Sequence, residues 1–219
     1  MNQGAERGQT EGRGLFIVFE GGDGAGKSTQ VELLAQTLAA SGIKHVVTRQ
    51  PGGTEIGRQI RRILLDPSNA DFADRAEALL YAADKAQHVA QLIRPALAAG
   101  QVVICDRYVD SMLVYQSAGR GLEMSQMQRL NDWATEGLRP DLTILLDVDP
   151  ALAVDKMTAK DRLEAAGTDF HTRVRTGFLE LASQDVDRYL VLAARDSIAS
   201  IAAAIRQRIN SQFGLHFVE

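Results

Sequence analysis

Residues 19–30 read FEGGDGAGKSTQ, and within them Gly21, Gly26, Lys27 and Ser28 stand at the spacing G-x-x-x-x-G-K-[ST]. Glycines at these places let the backbone turn with its N–H groups pointing inward. A helix beginning near Lys27 would add the positive end of its dipole to that anion-binding nest. The Lys27 ammonium would reach the β- and γ-phosphates of a nucleoside triphosphate, and the Ser28 hydroxyl would ligate Mg²⁺. Gly22, Asp23, Gly24, Ala25 and Thr29 complete the loop that would cradle ATP. The apolar runs LFIVF before the loop and VELLAQTLAA after it place the motif between a strand and a helix, as the chemistry requires. A chance glycine-rich turn would need neither flank.

The elements that must position this loop follow from periodicity. Five apolar β-type runs occur, at Leu15–Phe19, His45–Thr48, Val102–Cys105, Leu142–Leu146 and Tyr189–Leu192. Helical patterns separate them: Val31, Leu34, Ala35 and Leu38 share one face, as do Ile56, Ile60, Ile63 and Leu64, and Ile201, Ile205 and Ile209 close the chain. Alternating strands and helices imply an α/β fold with a parallel sheet covered on both faces. Ligands of such sheets bind beyond the carboxyl ends of the strands, which singles out Gly21–Ser28, Arg49–Thr54, Asp106–Arg107 and Asp147–Pro150. Pro95 falls inside the otherwise helical AQHVAQLIRPALAAG and should kink it or mark a junction.

Size and charge narrow the class. A chain of 219 residues, 45% hydrophobic and 24% charged, suits one sizeable core. Its net charge of −4 gives no basic field of the kind nucleic acid requires, so a nucleotide ligand is expected to be a small molecule. Cys105 is the only cysteine, so no intrachain disulfide forms, and its place in VVIC suits a small buried hydrophobe. The four histidines are scattered without metal-ligand spacing. Trp133 is expected to pack a helix against the core or a partner subunit. No apolar run approaches the roughly 20 residues that cross a bilayer. The N-terminal residues 1–13 read as a flexible tail without a signal-peptide core, and a cytoplasmic location is expected.

Four further stretches accompany the glycine-rich loop: TRQPGGTEIG at 48–57, ALLYAADKAQH at 78–88, CDRYVDSMLVYQSAGRG at 105–121 and DRLE at 161–164. Together they resemble the bacterial thymidylate kinases, in order, from about residue 15 to about residue 195. The resemblance implies a P-loop kinase fold: a five-stranded parallel sheet flanked by helices, forming a single domain over residues 14–219 with a short lid at about 155–166. It further implies a homodimer that phosphorylates dTMP to dTDP with ATP and Mg²⁺, in the supply of dTTP.

Each site residue has a physical reading beside the implied one. Asp106 ends the third strand, where its carboxylate could hold Mg²⁺ through water. Arg107 offers a planar fork to the acceptor's phosphate, against the plain alternative of an ion pair with its neighbour. Asp23, beside bound triphosphate, needs a cation or hydroxyl to face; family members resembling this chain use that acid on the acceptor nucleotide. Arg49 supplies a second cation to the acceptor phosphate, and Gln50 replaces the glutamate usual in such families. Tyr81 and Lys85 lie four apart on one helix face. The resemblance implies that Tyr81 stacks on thymine, with Lys85 replacing an arginine that bonds to the base. Ser111 precedes Met112, which stands where a second small polar residue is usual. Gln116 is implied to read the pyrimidine edge, and Tyr115 to crowd out a ribose 2′-hydroxyl.

The glycine-rich loop carries no arginine, having Gly24 where some members have one, and the resemblance then places catalytic arginines in the lid. Lys156, Lys160 and Arg162 are the cations there, with Lys160 expected at ATP and Arg162 on the transferring phosphoryl. Two rivals remain: a kinase for another pyrimidine monophosphate such as dUMP, motivated by Lys85 and Met112, and a nucleotide-sensing module without transferase activity.

Overall fold

The computed structural model describes residues 13–69, 71–150 and 167–218. The five apolar runs form five parallel strands: β1 (Phe16–Gly21), β2 (His45–Arg49), β3 (Val102–Asp106), β4 (Leu142–Asp147) and β5 (Tyr189–Ala193). They hydrogen-bond in the order β2, β3, β1, β4, β5. Central strand β1 is buried along its whole length. Because strand side chains alternate, Ile17 and Phe19 pack with Leu34, Leu38, Ile201, Ile205 and Ile209 on one side of the sheet. Phe16 and Val18 pack with Val89, Ile93 and Leu97 on the other.

Helices α1 (Lys27–Ala40), α2 (Glu55–Leu65), α3 (Asp74–His88), α4 (Arg94–Ala98), α5 (Val109–Leu113), α6 (Met124–Thr135), α7 (Thr168–Gln184) and α8 (Ile198–Phe213) supply the covering layers. Helix α1 buries Val31, Leu34 and Leu38, the face expected of it. A π-helical turn, Val89–Ile93, separates α3 from α4 just ahead of Pro95. Proline cannot donate an amide, and its ring crowds the preceding turn, so the chain widens there before resuming. The junction expected at Pro95 is therefore present.

Two expectations are corrected. Leu64 is buried in α2, but Ile56 and Ile63 are 50% and 46% exposed. The buried strip runs through Gly57 and Leu64, and positions one residue earlier lie about 100° around the helix. Arg13, counted with the flexible tail, is anchored: its guanidinium donates to both carboxylate oxygens of Asp141 at 2.6 and 2.7 Å. No helix among the described residues is long and apolar enough to cross a membrane.

Candidate active site

Strand register brings the functional segments together. Phe19 of β1 pairs with Asp106 of β3, and Arg49 of β2 pairs with the same residue. The loop after β1, the turn after β3 and the loop after β2 therefore leave the sheet side by side. Between them lies a cleft of about 490 Å³. Its walls hold Asp23, Gly24, Ala25, Gly26, Lys27, Ser28, Thr29, Arg49, Tyr81, Lys85, Asp106, Arg107, Ser111, Met112, Tyr115 and Gln116. Those sixteen sequence-derived positions, spread from residue 23 to 116, are thus brought to one place.

Gly21 and Gly22 support the loop from behind. A Cβ on Gly21 would lie 2.3 Å from the Leu146 carbonyl oxygen, so only glycine lets β1 leave the sheet there. Gly26, with φ +88°, sits in the left-handed region that lets the loop turn directly into α1. Lys27 is 7% exposed and donates to the carbonyls of Gly21 and Gly22 at 3.0 and 2.9 Å. Burial, with Arg107 nearby, pulls its ammonium down to about 8.

Arg107 turns into the cleft from a left-handed backbone, φ +66°, a conformation that costs energy in a non-glycine residue and recurs at functional sites. Its guanidinium donates to Asp23 Oδ1 at 2.5 Å and to Ser111 Oγ at 3.1 Å, and lies 5.4 Å from the Tyr115 ring centre. The arginine therefore engages the loop acid rather than its chain neighbour Asp106. Burial disfavours the Asp23 carboxylate, but Arg107 and Lys27 outweigh it and hold the group below its ordinary value. Asp106 keeps a buried Oδ1 with no hydrogen-bond partner among the described residues. With the exposed Ser28 hydroxyl at the start of α1, that oxygen supplies the hard donors a magnesium ion takes.

The opposite end of the cleft is walled by α3 and by the segment from α5 into a π-helical turn, Val114–Gly119. Ser111, Met112, Tyr115 and Gln116 fall at two pairs four apart, so they share one helical face. Lys85 is only 2% exposed, and its Nζ lies 5.6 Å from the Tyr81 ring centre. Burial lowers its pKa, with Asp84 pulling the other way. Lys156, Lys160 and Arg162 lie outside the described residues.

Several supporting residues were not assigned roles from sequence. Glu20, fully buried on β1, accepts from the Tyr108 N–H at 2.8 Å, the Ser111 N–H at 3.1 Å and the Ser111 hydroxyl at 2.6 Å. It thus clamps the segment that presents Arg107 and Ser111. Burial, with Asp110 beside it, pushes its carboxyl up to about 7. On α3, Asp84 accepts from the Gly52 N–H at 2.9 Å. His88 bonds Thr48 Oγ1 at 2.7 Å and the Gln50 amide at 3.0 Å. Gln50, expected to alter the loop's electrostatics, is buried against this histidine. Arg61 also lines the cleft and donates to the Pro51 carbonyl at 3.0 Å. The spacing of His88 seven residues after Tyr81 puts both on one helix face, a signal available in the sequence.

The comparisons with known proteins agree with this geometry. The family model described as thymidylate kinase matches residues 19–205. The thymidylate kinase of Cutibacterium acnes is 57% identical over 196 residues, covering 90% of this chain and 96% of that protein. That of Bifidobacterium longum is 53% identical over 200 residues, covering 90% and 97%. A crystal structure of thymidylate kinase from Ehrlichia chaffeensis superposes with a TM-score of 0.76 at 31% identity, over 90% of this chain and 99% of that one. With a matching family model, relatives at such identity and a cleft that gathers the glycine-rich loop with Arg49, Asp106 and Arg107, the chain belongs to the thymidylate kinase family and is a nucleoside monophosphate kinase.

Proposed function

We propose that the protein transfers the γ-phosphoryl group of ATP to the phosphate of dTMP, giving dTDP and ADP. The observation that carries this reading is the Asp23–Arg107 contact at 2.5 Å, which sets an acceptor-side arginine against the donor's phosphate loop. An oxygen of the acceptor phosphate attacks the γ-phosphorus, and the bond from that phosphorus to the β-phosphate oxygen breaks as ADP leaves. That oxygen is already nucleophilic, so alignment and charge stabilisation are what the protein must supply.

Lys27 and the loop amides hold the donor phosphates, while Arg107 and Arg49 orient the acceptor phosphate. Ser28 and Asp106 are the residues that would hold Mg²⁺, whose bound charge neutralises the phosphate oxygens. Tyr81, Lys85, Met112 and Gln116 form the base pocket, and Tyr115 lies where the sugar would sit. Lys160 and Arg162 enter this reading on the family resemblance alone. The working compartment is the cytoplasm, where ATP and nucleoside monophosphates are supplied.

A homodimer belongs to the same proposal. Trp133 on α6 is 80% exposed, Leu79 on α3 is 59% exposed, and Ile56 and Ile63 on α2 are half exposed. Four large apolar side chains on three successive packed helices suit coverage by a second copy of the chain.

The test is an acceptor panel: ATP and Mg²⁺ with dTMP, dUMP, dCMP, dGMP or AMP, the diphosphate product being identified by chromatography. Formation of dTDP well ahead of the others is expected. Turnover that prefers another acceptor would transfer the assignment, and ATP consumption indifferent to acceptor would remove it.

A further inference from the structure

We propose that Glu77 is a positioning residue for base specificity: it fixes the side-chain amide of Gln116 so that the pocket offers the base a hydrogen-bond acceptor. The pocket would thereby favour bases with an N3–H donor, thymine or uracil, over cytosine. This rests on reading the cleft as a pyrimidine monophosphate site.

Gln116 is fully buried on the cleft wall. Its amide has two unlike ends, and either could face the cavity. Its Nε2 lies 2.6 Å from Glu77 Oε1, and an ionised carboxylate only accepts, so the end turned toward Glu77 must be the NH₂. Turning the amide over would set its carbonyl oxygen against a carboxylate oxygen with no proton between them.

Glu77 is itself fully buried on α3, and Arg120 Nε, 3.5 Å from the same oxygen, compensates its charge. Gln116 Oε1 has no hydrogen-bond partner among the described residues, although an acceptor buried without a partner is costly. The neighbouring cleft residue Met112 offers only a thioether and cannot make the equivalent bond.

Thymine and uracil carry a proton at N3 that would satisfy Gln116 Oε1. Cytosine presents a lone pair at N3, so acceptor would face acceptor. Rejection of the mismatched base by about 10- to 100-fold is the scale expected for one buried unsatisfied group. Glu77 does not touch the base in this account; it acts through Gln116. Uracil differs from thymine only at C5, so Glu77 leaves that choice unaffected.

The test compares kcat and KM for dTMP, dUMP and dCMP in the wild type and in Glu77→Gln. The replacement keeps the shape, but its own amide can either donate or accept, so Gln116 is released to turn over. The dTMP-to-dCMP ratio of kcat/KM is expected to fall at least about tenfold, with kcat at saturating dTMP largely kept and the dTMP-to-dUMP ratio unchanged. If Glu77 merely buttresses α3, all three acceptors decline together and the ratios hold, which overturns the proposal.

Should Glu77→Gln not fold, NMR of the wild type decides. The Gln116 side-chain NH₂, assigned by its loss in Gln116→Ala, is expected to be exchange-protected in the free protein and to shift little when dTMP binds. An NH₂ that exchanges freely until dTMP arrives contradicts the proposal. Wild-type protein inactive on every pyrimidine monophosphate would instead sink the reading of the cleft, a failure distinct from that of Glu77.

Discussion

The Arg107 guanidinium and the Asp23 carboxylate meet at 2.5 Å, across 84 residues of sequence, and join the turn after β3 to the loop after β1. The contact holds the guanidinium against the glycine-rich loop. Arg107→Ala is expected to lower kcat/KM for dTMP at least about 100-fold, roughly 3 kcal/mol, through loss of charge-assisted bonds to the acceptor phosphate. Steady-state kinetics checks this. A loss under threefold would place the acceptor phosphate elsewhere.

Glu20 sets a stability prediction. Glu20→Ala strips the buried Tyr108 and Ser111 amides of their acceptor. Each orphaned donor costs about 1–3 kcal/mol, and the thermal midpoint should fall by roughly 5–15 °C for a chain of this size. Calorimetry measures it, and an unchanged midpoint would show that the clamp is not needed for the fold.

The pH dependence of the free enzyme follows from Lys27. Its folded-state value, lowered by burial to about 8, means that the ammonium is present below that pH and lost above it. The kcat/KM for ATP should be flat below about 8 and then fall by about tenfold per unit. For stability the sign reverses: the buried charge weakens the fold below about 8, and the penalty is relieved as pH rises toward the unfolded lysine value. A pH–rate profile in ATP that stays flat above 9 would contradict this placement of the charge.

Lys85 predicts opposite effects on fold and function. Burial disfavours its ammonium, so Lys85→Met, of similar length and apolar, should raise the thermal midpoint. The same change should raise KM for dTMP about tenfold if the cleft wall at Tyr81 and Lys85 receives the base as proposed, because it removes a donor there. A lower midpoint with unchanged KM would make Lys85 a structural cation.

The exposed apolar face predicts association. Trp133→Glu should shift the protein from dimer to monomer in analytical ultracentrifugation, because a charge in place of this exposed indole would be left desolvated under a second copy. A wild-type protein that sediments as a monomer at micromolar concentration would remove the dimer from the proposal.

What was legible in the sequence was what local pattern encodes. Strand positions followed from apolar runs, and residues just after β1, β2 and β3 line the cleft because a parallel sheet brings its carboxyl ends together, whereas Asp147, at the end of β4, is held by Arg175 outside it. The junction at Pro95 followed from proline's missing donor. What was not legible depends on contacts distant in sequence. Nothing local shows that Glu20 receives three bonds from a segment about 90 residues on, or that His88 bonds Thr48 across 40 residues. Nor does a helical apolar stripe say how much of itself a neighbour will cover: Leu64 met the core while Ile63 did not.

The most direct measurement is transfer of label from γ-labelled ATP to dTMP, in the presence of Mg²⁺, by wild type and by Arg107→Ala. Label recovered in dTDP with the wild type, and at least about 100-fold more slowly with the variant, is the expected result. Label released only as inorganic phosphate, or transferred equally by both proteins, would contradict the assignment of Arg107 and the phosphoryl-transfer site built around it.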